Sequence, residues 1–209
     1  MTANFEALRY NIGKLGKHLA LTKRMVKTSA RDTTLFSAFE VKLLDSSQKK
    51  VQRLLQKDTT LDAIFGRMFK PYESAEKAAL LEPLKAIDKT SHLEDRLKEN
   101  CTINTWVHAE LLLVNHFHTR NLRFVDGDKY VGCSKPACFL CFQYISAHPG
   151  GFALPATHKK LYKGWRHPDI VDNPAAPAAA ALTDRLEKCR ADITNAMVQK
   201  IRAHLVEQI

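Results

Sequence analysis

The sequence His-Ala-Glu at positions 108–110, followed by Cys-Ser-Lys-Pro-Ala-Cys-Phe-Leu-Cys at positions 133–141, is the part of the chain from which its fold and chemistry are argued. Zinc prefers thiolate sulfur and imidazole nitrogen, and a catalytic zinc keeps three protein ligands and one open position. His108, Cys138 and Cys141 supply that number of donors. Because the two cysteines are three positions apart, a helix places both sulfurs on one face, where they can reach the same ion.

Glu110 is predicted to act as the acid and base of the site. Residues two apart on a regular helix point away from each other, so His108 and Glu110 share a pocket only if the helix begins at about His108. A carboxylate beside a metal-activated water can accept its proton and pass it to a substrate nitrogen. His-x-Glu with a later Cys-x-x-Cys is the pattern of zinc deaminases of nucleobases.

At these residues the chain resembles a known family. The segments Val-His-Ala-Glu-Leu at 107–111 and Tyr-Val-Gly-Cys-Ser-Lys-Pro-Ala-Cys-Phe-Leu-Cys at 130–141 resemble the OTT_1508-like deaminases, a branch of the cytidine deaminase-like superfamily with many fungal members. The resemblance is most specific over residues 105–165, and the Asn-Ile-Gly-Lys-Leu-Gly stretch at 11–16 is also similar to fungal members. It implies an α/β fold, in which a three-layer α/β/α deaminase domain follows an all-helical N-terminal region.

The sequence departs from the family pattern at one position. The usual motif places proline directly before the first cysteine, whereas here Ala137 separates Pro136 from Cys138. This departure predicts that the second metal helix starts one residue earlier.

Two regions are predicted. Residues 1–100 form a helical N-terminal region, and residues 101–209 form the zinc deaminase-like domain, which includes an Ala/Pro spacer at 172–181 and a C-terminal helix at 182–206. Apolar periodicity predicts the N-terminal helices over residues 4–28, 37–44, 48–55, 60–69, 74–87 and 93–98. A short extended run at 102–107 leads into His108.

The segment between the two motifs is predicted to form a hairpin. The runs 122–125 and 129–133 flank Asp126-Gly127, which is a strong turn signal. The second metal helix is expected from Pro136 to about His148, and a further strand at residues 152–154.

Composition narrows the class of protein. Of the 209 residues, 45% are hydrophobic, which is typical of a globular chain. The sequence contains no apolar run of membrane-spanning length and no secretory signal, so a cytoplasmic or nuclear protein without membrane association is expected. Three of five cysteines cluster near the histidine motif, which favours a metal site over disulfides. Cys101 and Cys189 are interpreted as ordinary thiols, and His116 and His118 as surface or core histidines.

The substrate is predicted to be a nucleobase, cytosine or adenine, in single-stranded nucleic acid or in a nucleoside or nucleotide. A net charge of +10 favours polyanions, and residues 157–168 interleave cations with aromatic rings, as strand-binding surfaces do. The predicted substrate contacts are Lys135, His158, Tyr162, Trp165 and Arg166. The alternative is that Tyr162 and Trp165 are core anchors. The basic face of the first helix has two interpretations as well, a solvated surface or a phosphate contact. A homo-oligomer is expected from analogy alone.

A different class of function depends on Cys133. Together with His108, Cys138 and Cys141 it would complete a closed Cys₃His zinc site with no open position, and the protein would then be an inactive deaminase-like fold that serves as an interaction module. The carboxylate of Glu110 favours the open site, because a closed one needs no proton shuttle. A metal-free helical adaptor is the remaining alternative.

Overall fold

The computed structural model describes residues 2–31, 33, 40–170 and 178–208. The chain divides into two compact units, Met1–Leu43 and Leu44–Ile209. The first contains helix α1, Thr2–Arg31, which confirms the helix expected at residues 4–28. Its apolar stripe, which includes Leu8, Leu15 and Val26, is exposed to solvent.

The second unit mixes helices with a small sheet. Its helices are α2 (Leu61–Met68), α3 (Ser74–Ser91), α4 (Leu93–Glu99), α5 (Ala109–Thr119), α6 (Phe139–Ala147) and α7 (Ala178–Gln208). Its strands are β1 (Lys50–Arg53) and β2 (Thr102–Thr105), and 3₁₀ turns occupy Gln56–Asp58, Pro71–Glu73 and Val125–Gly127. This composition is α/β in the broad sense that the sequence predicts. None of the described helices is long and apolar enough to cross a bilayer.

Strand β1 replaces a predicted helix. It pairs antiparallel with β2, so that Lys50 lies opposite Thr105 and Arg53 opposite Thr102. The helix expected at 48–55 is therefore wrong, because a partner fifty residues away outweighs the local periodicity. Of the helix expected at 37–44, residues 37–39 lie outside the described residues, and residues 40–44 are not helical.

Two isolated parallel bridges lie outside the small sheet. Trp106 pairs with Trp165, directly after β2, and Ala137 pairs with Thr157, directly before α6. Each bridge therefore fixes the segment 156–166 against the approach to one of the two metal helices.

The second unit has two clusters of buried apolar side chains. The larger surrounds α5, α6 and α7, where Leu111 and Val114 are fully buried and Ile193 of α7 packs against them. The smaller lies between α2 and α3 and contains Leu61, Phe65 and Leu80. Apolar burial at about 25 cal/mol per Å² stabilises these contacts, so α5 and α6 are held rigidly at the centre of the larger cluster.

The helices α2, α3, α4 and α7 confirm the predicted ones with small shifts of their ends. Thr60 is the N-cap of α2, and its hydroxyl accepts the amide N–H of Ala63 at 3.2 Å. Of the predicted spacer 172–181, residues 172–177 lie outside the described residues, and residues 178–181 already belong to α7.

The predicted hairpin between the two motifs is wrong in its strands. Asp126 and Gly127 do form a turn, with φ of 53° and 72°, but no strand is described on either side of it. The strand expected at 152–154 is also absent from the described residues; the Ala153 amide donates to the Lys129 carbonyl at 3.0 Å instead. Single hydrogen bonds thus replace the ladder that alternation in sequence predicts.

Candidate metal centre and active site

Two helix N-termini converge at the site. His108 is the N-cap of α5, as predicted, and Cys138 is the N-cap of α6. The second metal helix therefore begins at Phe139. The predicted start at Pro136 is wrong, and so is the prediction that this helix starts one residue earlier than in the family pattern. Ala137 is extended because it pairs with Thr157. The Cys138 Sγ accepts the amide N–H of Cys141 at 3.4 Å, in the manner of an N-cap side chain.

Three donor atoms meet between these helix starts. The Nδ1 atom of His108 lies 3.5 Å from the Cys138 Sγ and 3.3 Å from the Cys141 Sγ. Zinc bonds of about 2.3 Å to sulfur and 2.1 Å to nitrogen place tetrahedral ligands about 3.6 Å apart. The observed separations are close to that value, so the donor set fits a tetrahedral ion with little movement. Both cysteines are buried, and His108 is half-buried.

The two thiols and the imidazole share protons. The pKa of Cys138 falls to about 4 because Cys141 and His108 donate hydrogen bonds to its sulfur, against the opposing effect of burial. The same shared bond with Cys138, together with burial, raises the pKa of Cys141. Hydrogen bonding to Cys138 also raises the pKa of His108. One thiolate is thus already stabilised, which suits a cation at this position.

Glu110 stands in the first turn of α5 beside the donors. Its negative charge raises the pKa values of His108, Cys133 and Cys141, so the carboxylate faces the same space as all three. It is half-buried and does not belong to the group of donor atoms that lie within 4.8 Å of one another. The carboxylate therefore lies beside the metal group and hydrogen-bonds to Cys141.

A cavity of about 410 Å³ opens above the donors. Its lining includes His108, Cys138 and Glu110, together with His158 and Tyr162 of the segment that follows α6. The Tyr162 ring meets the His108 ring edge-on, with centroids 5.7 Å apart. Pockets of several hundred Å³ accommodate small organic ligands, and a nucleobase with part of its sugar falls within that size.

Segment 156–166 covers the cavity and is held at both ends. At one end the Ala137 amide donates to the Ala156 carbonyl at 2.7 Å. At the other end the Trp106 amide donates to the Gly164 carbonyl at 2.8 Å. A Cβ on Gly164 would lie 2.7 Å from the Asn104 carbonyl oxygen, so only glycine allows the segment to approach β2 this closely.

The predicted substrate residues separate into two groups. Lys135, His158 and Tyr162 line the cavity, and Tyr162 is 44% exposed. Trp165 and Arg166 are not among the lining residues. Trp165 packs against the larger core cluster, in line with the alternative interpretation of a core anchor. Arg166 is 8% exposed, and its guanidinium donates to Asp169 at 2.7 Å.

Trp165 hydrogen-bonds to one of the three donor residues and is not among the residues that line the cavity. Its indole Nε1–H donates to the Cys141 Sγ at 3.2 Å. Groups that hydrogen-bond to ligands orient them and tune the metal. Sequence reasoning places Trp165 on the substrate side, and no local pattern links it to a cysteine twenty-four residues earlier. The additional lining residues Gly132 and Ser134 could have been found from their position beside Cys133.

Cys133 lies in the cavity wall and apart from the donor cluster. It is exposed, its Sγ donates to the Val131 carbonyl at 3.7 Å, and it does not belong to the group of donor atoms within 4.8 Å. Burial of the sulfur and the charge of Glu110 raise the pKa of its thiol. In this geometry the cluster has three protein donors and an open side toward the cavity.

Three donors beside a carboxylate, next to a cavity, are an arrangement that hydrolytic metal sites use. Residues 107–169 match the family model of the OTT_1508-like deaminases. The match spans His108, Glu110, both cysteines and the covering segment, so this part of the chain is similar to that family and the similarity indicates a deaminase. No curated protein and no solved structure matches the chain.

Proposed function

We propose that the protein is a zinc-dependent hydrolytic deaminase of a nucleobase. The observation that carries the proposal is the three-donor cluster with Glu110 beside it and a cavity open on that side. His108, Cys138 and Cys141 would hold the zinc, since the distances among their donor atoms fit tetrahedral coordination. When bound, zinc lowers the pKa of a coordinated water toward about 7.

Glu110 moves the protons in this mechanism. Its carboxylate accepts a proton from the attacking water and delivers it to the ring nitrogen next to the amino-bearing carbon. The water oxygen bonds to that carbon, and the carbon–nitrogen bond then breaks. Glu110 carries a second proton from the added oxygen to the departing nitrogen, so that ammonia leaves and the base acquires a carbonyl group.

The cavity wall supplies the contacts that hold the base. Tyr162 presents its ring edge to His108, and the His158 ring lies 5.8 Å from it, centroid to centroid. Aromatic rings at such a site stack on or enclose a planar base. Covering segment 156–166 positions both rings, so we infer that it determines which base fits.

A base in single-stranded nucleic acid is the substrate we favour over a free nucleoside. Lys135 at the rim and Lys159 and Lys160 on the covering segment are exposed cations beside the opening. Leu161 and Tyr162 are exposed next to them, which gives neighbouring bases an apolar surface. A strand needs such phosphate contacts around a pocket for the extruded base.

We further propose that the fold is a shortened form of the three-layer deaminase domain. Its layers would be the helices around α5 and α6 and a sheet reduced to the pair of strands and the two parallel bridges. Residues 1–100 and 101–209 would remain the helical region and the deaminase domain. The parallel direction of both bridges supports this, because α/β layers place helices between parallel strands.

The first test replaces Glu110. Glu110→Gln keeps the shape of the side chain but removes its basicity, so ammonia release from cytosine and adenine substrates should fall by about 10²- to 10⁴-fold, while zinc content stays unchanged. Glu187→Gln, an exposed substitution on α7, is the matched control and should leave the rate unchanged. Near-normal turnover by Glu110→Gln would refute the mechanism.

The second test distinguishes the open site from a closed structural one. Zinc-edge X-ray absorption should count two sulfur ligands, and the count should be the same in Cys133→Ser. Three sulfurs in the wild-type protein, with two in the variant, would mean that Cys133 closes the site. The interaction module would then replace the enzyme as the function.

A further inference from the structure

The helices α5 and α6 also end side by side. His118 lies in the last turn of α5, and His148 is the C-cap of α6. Their rings meet edge-on, with centroids 4.6 Å apart and planes at 88°. Cys189 of α7 approaches the same point, so that one donor atom from each of the three residues lies within 4.8 Å of the others.

We propose that His118, His148 and Cys189 form a second transition-metal site, separate from the catalytic cluster and suited to zinc. The two clusters lie at opposite ends of the same pair of helices. At a rise of 1.5 Å per residue, the ten residues from His108 to His118 separate them by about 15 Å. One ion therefore cannot serve both.

The chemistry of the donors selects the metal. Two imidazoles and a thiol favour zinc, cobalt or copper. Among the described residues no carboxylate lines the cavity between them, so calcium and magnesium are disfavoured. That cavity has a volume of about 20 Å³, room for a single ion or water. Arg190 also lines the cavity, and its positive charge would repel a metal ion. The negative charge of Cys189, as a thiolate bound to the ion, would offset this repulsion.

His167 also lines this cavity, although its ring nitrogens do not belong to the group of donor atoms that lie within 4.8 Å of one another. The Thr194 hydroxyl donates its hydrogen to the Arg190 carbonyl at 2.7 Å, so its oxygen accepts the Nε2–H of His167 at 3.3 Å. The other ring nitrogen, Nδ1, then carries a lone pair, and it is buried without a hydrogen-bond partner among the described residues. A buried acceptor with no donor is what a metal ion would satisfy.

The backbone of the two helices favours a cation at this position. The carboxyl ends of α5 and α6 both point here, and helix C-termini carry partial negative charge. The same helices point their positive ends at the catalytic thiolates.

Metal binding would change one existing hydrogen bond. The Gly150 amide donates to the His148 Nδ1 at 3.0 Å, so in the metal-free ring Nε2 carries the proton. If Nε2 binds the metal, the proton of the ring moves to Nδ1, which can then no longer accept the Gly150 amide. If Nδ1 binds the metal, its lone pair is used for coordination, and the hydrogen bond is lost as well. The Gly150 amide is therefore a reporter of binding, and it should exchange faster with solvent once the metal is bound.

The test is a metal count on the untagged full-length chain, loaded with Zn²⁺ under reducing conditions and dialysed against a weak chelator. Wild type should retain two ions per chain by native mass spectrometry. Cys189→Ala should retain one, and Cys138→Ala/Cys141→Ala should also retain one. Cys101→Ala, the matched control at another half-buried thiol, should retain two.

Cobalt loading identifies which site holds the ion. The double catalytic variant should show charge-transfer absorption from one thiolate, and Cys189→Ala should show that of two. His118→Asn, which leaves α7 unchanged, should lose the same ion as Cys189→Ala. A single ion in the wild-type protein, or two ions in both Cys189→Ala and His118→Asn, would overturn the proposal and leave the catalytic assignment unaffected.

Discussion

At the scale of single residues, the site is organised by groups that cap helices. His108 and Cys138 each occupy the residue before a helix, where the side chain is directed across the helix entrance. The indole N–H of Trp165, which is not among the residues that line the cavity, donates to the Cys141 sulfur. The donors are thus oriented by helix ends and by one hydrogen bond, before any ion binds.

Trp165→Phe tests the importance of that hydrogen bond. Phenylalanine retains an aromatic ring in the core cluster but cannot donate to the Cys141 sulfur, so zinc affinity should fall about 10- to 100-fold. Competition with a chromophoric chelator measures this. Trp106→Phe is the control, because Trp106 contacts the covering segment through backbone bonds. Equal zinc affinity in Trp165→Phe and wild type would show that the bond has no effect on the metal.

The sequence predicts which residues offer the donor atoms of the site, but it does not predict which residues hydrogen-bond to those donors. The spacing of His108, Cys138 and Cys141 points to one ion because ligand chemistry is specific. The partner of Cys141, Trp165, is joined to it only by tertiary structure. His118 and Cys189 likewise have no motif, so the sequence predicts ordinary side chains at both positions. The folded structure brings them together with His148.

At the scale of elements, a buried arginine joins the covering segment to strand β1 and to the residues just before it. The Arg166 guanidinium donates to the Gln48 carbonyl at 3.1 Å and to the Ser47 hydroxyl at 3.2 Å. Asp169 accepts from Arg166 at 2.7 Å and from Lys50 at 2.6 Å. These bonds connect β1 to the segment that covers the cavity.

Acid should weaken this connection. Partial burial raises the pKa of Asp169, but the bonds and charges of Lys50 and Arg166 outweigh it, so the pKa lies below its ordinary value of 3.8. Because the folded-state pKa is the lower one, the stabilisation is complete above about pH 4 and is lost as the pH falls through the folded-state pKa. Asp169→Asn should lower the free energy of unfolding by about 1–2 kcal/mol at pH 7.

Urea unfolding between pH 7 and pH 3 measures both effects. The difference between Asp169→Asn and wild type should shrink at the acid end, where wild type has also lost the charge. Asp62→Asn breaks an exposed pair with Lys85 and should cost less than about 1 kcal/mol at any pH. A difference for Asp169→Asn that stays constant with pH would exclude the charge as its cause.

Element prediction succeeded where the signal is local. Helices α2 to α4 and α7 follow from apolar periodicity, and the Asp126-Gly127 turn follows from its dipeptide. Strand β1 could not be predicted, because Val51 and its neighbours are exposed and are extended only through pairing with β2. The runs beside the turn alternate as strands do, yet no partner strand lies within reach among the described residues.

At the scale of the whole molecule, the excess of positive charge is the dominant property. The net charge is +10 over 209 residues, and Lys135, which lines the cavity, and Lys159 and Lys160 of the covering segment are exposed. Helix α1 contributes more exposed cations, among them Lys17, Arg24 and Lys27. A polyanionic substrate should therefore bind with an affinity that depends on salt.

The salt dependence of single-strand binding tests this expectation. Fluorescence anisotropy with a labelled single-stranded oligonucleotide should show that the logarithm of the binding constant falls linearly with the logarithm of salt concentration, by about 0.7 per phosphate contact. Lys135→Ala/Lys160→Ala should reduce the slope by about 1 to 1.5. Lys89→Ala, on α3, should leave it unchanged. Absence of binding at low salt would remove nucleic acid as a partner and leave the free nucleoside.

The equal spacing of the proposed ligands along α5 and α6 has a consequence for how this chain can change in evolution. His108 and His118 are ten positions apart, and so are Cys138 and His148. A one-residue insertion within either helix would rotate everything beyond it by about 100° and break the alignment at one end. Relatives that retain His118 and His148 together with His108 and Cys138 should therefore show no gaps in these helices, whereas relatives without His118 or His148 should vary freely in length after Cys141.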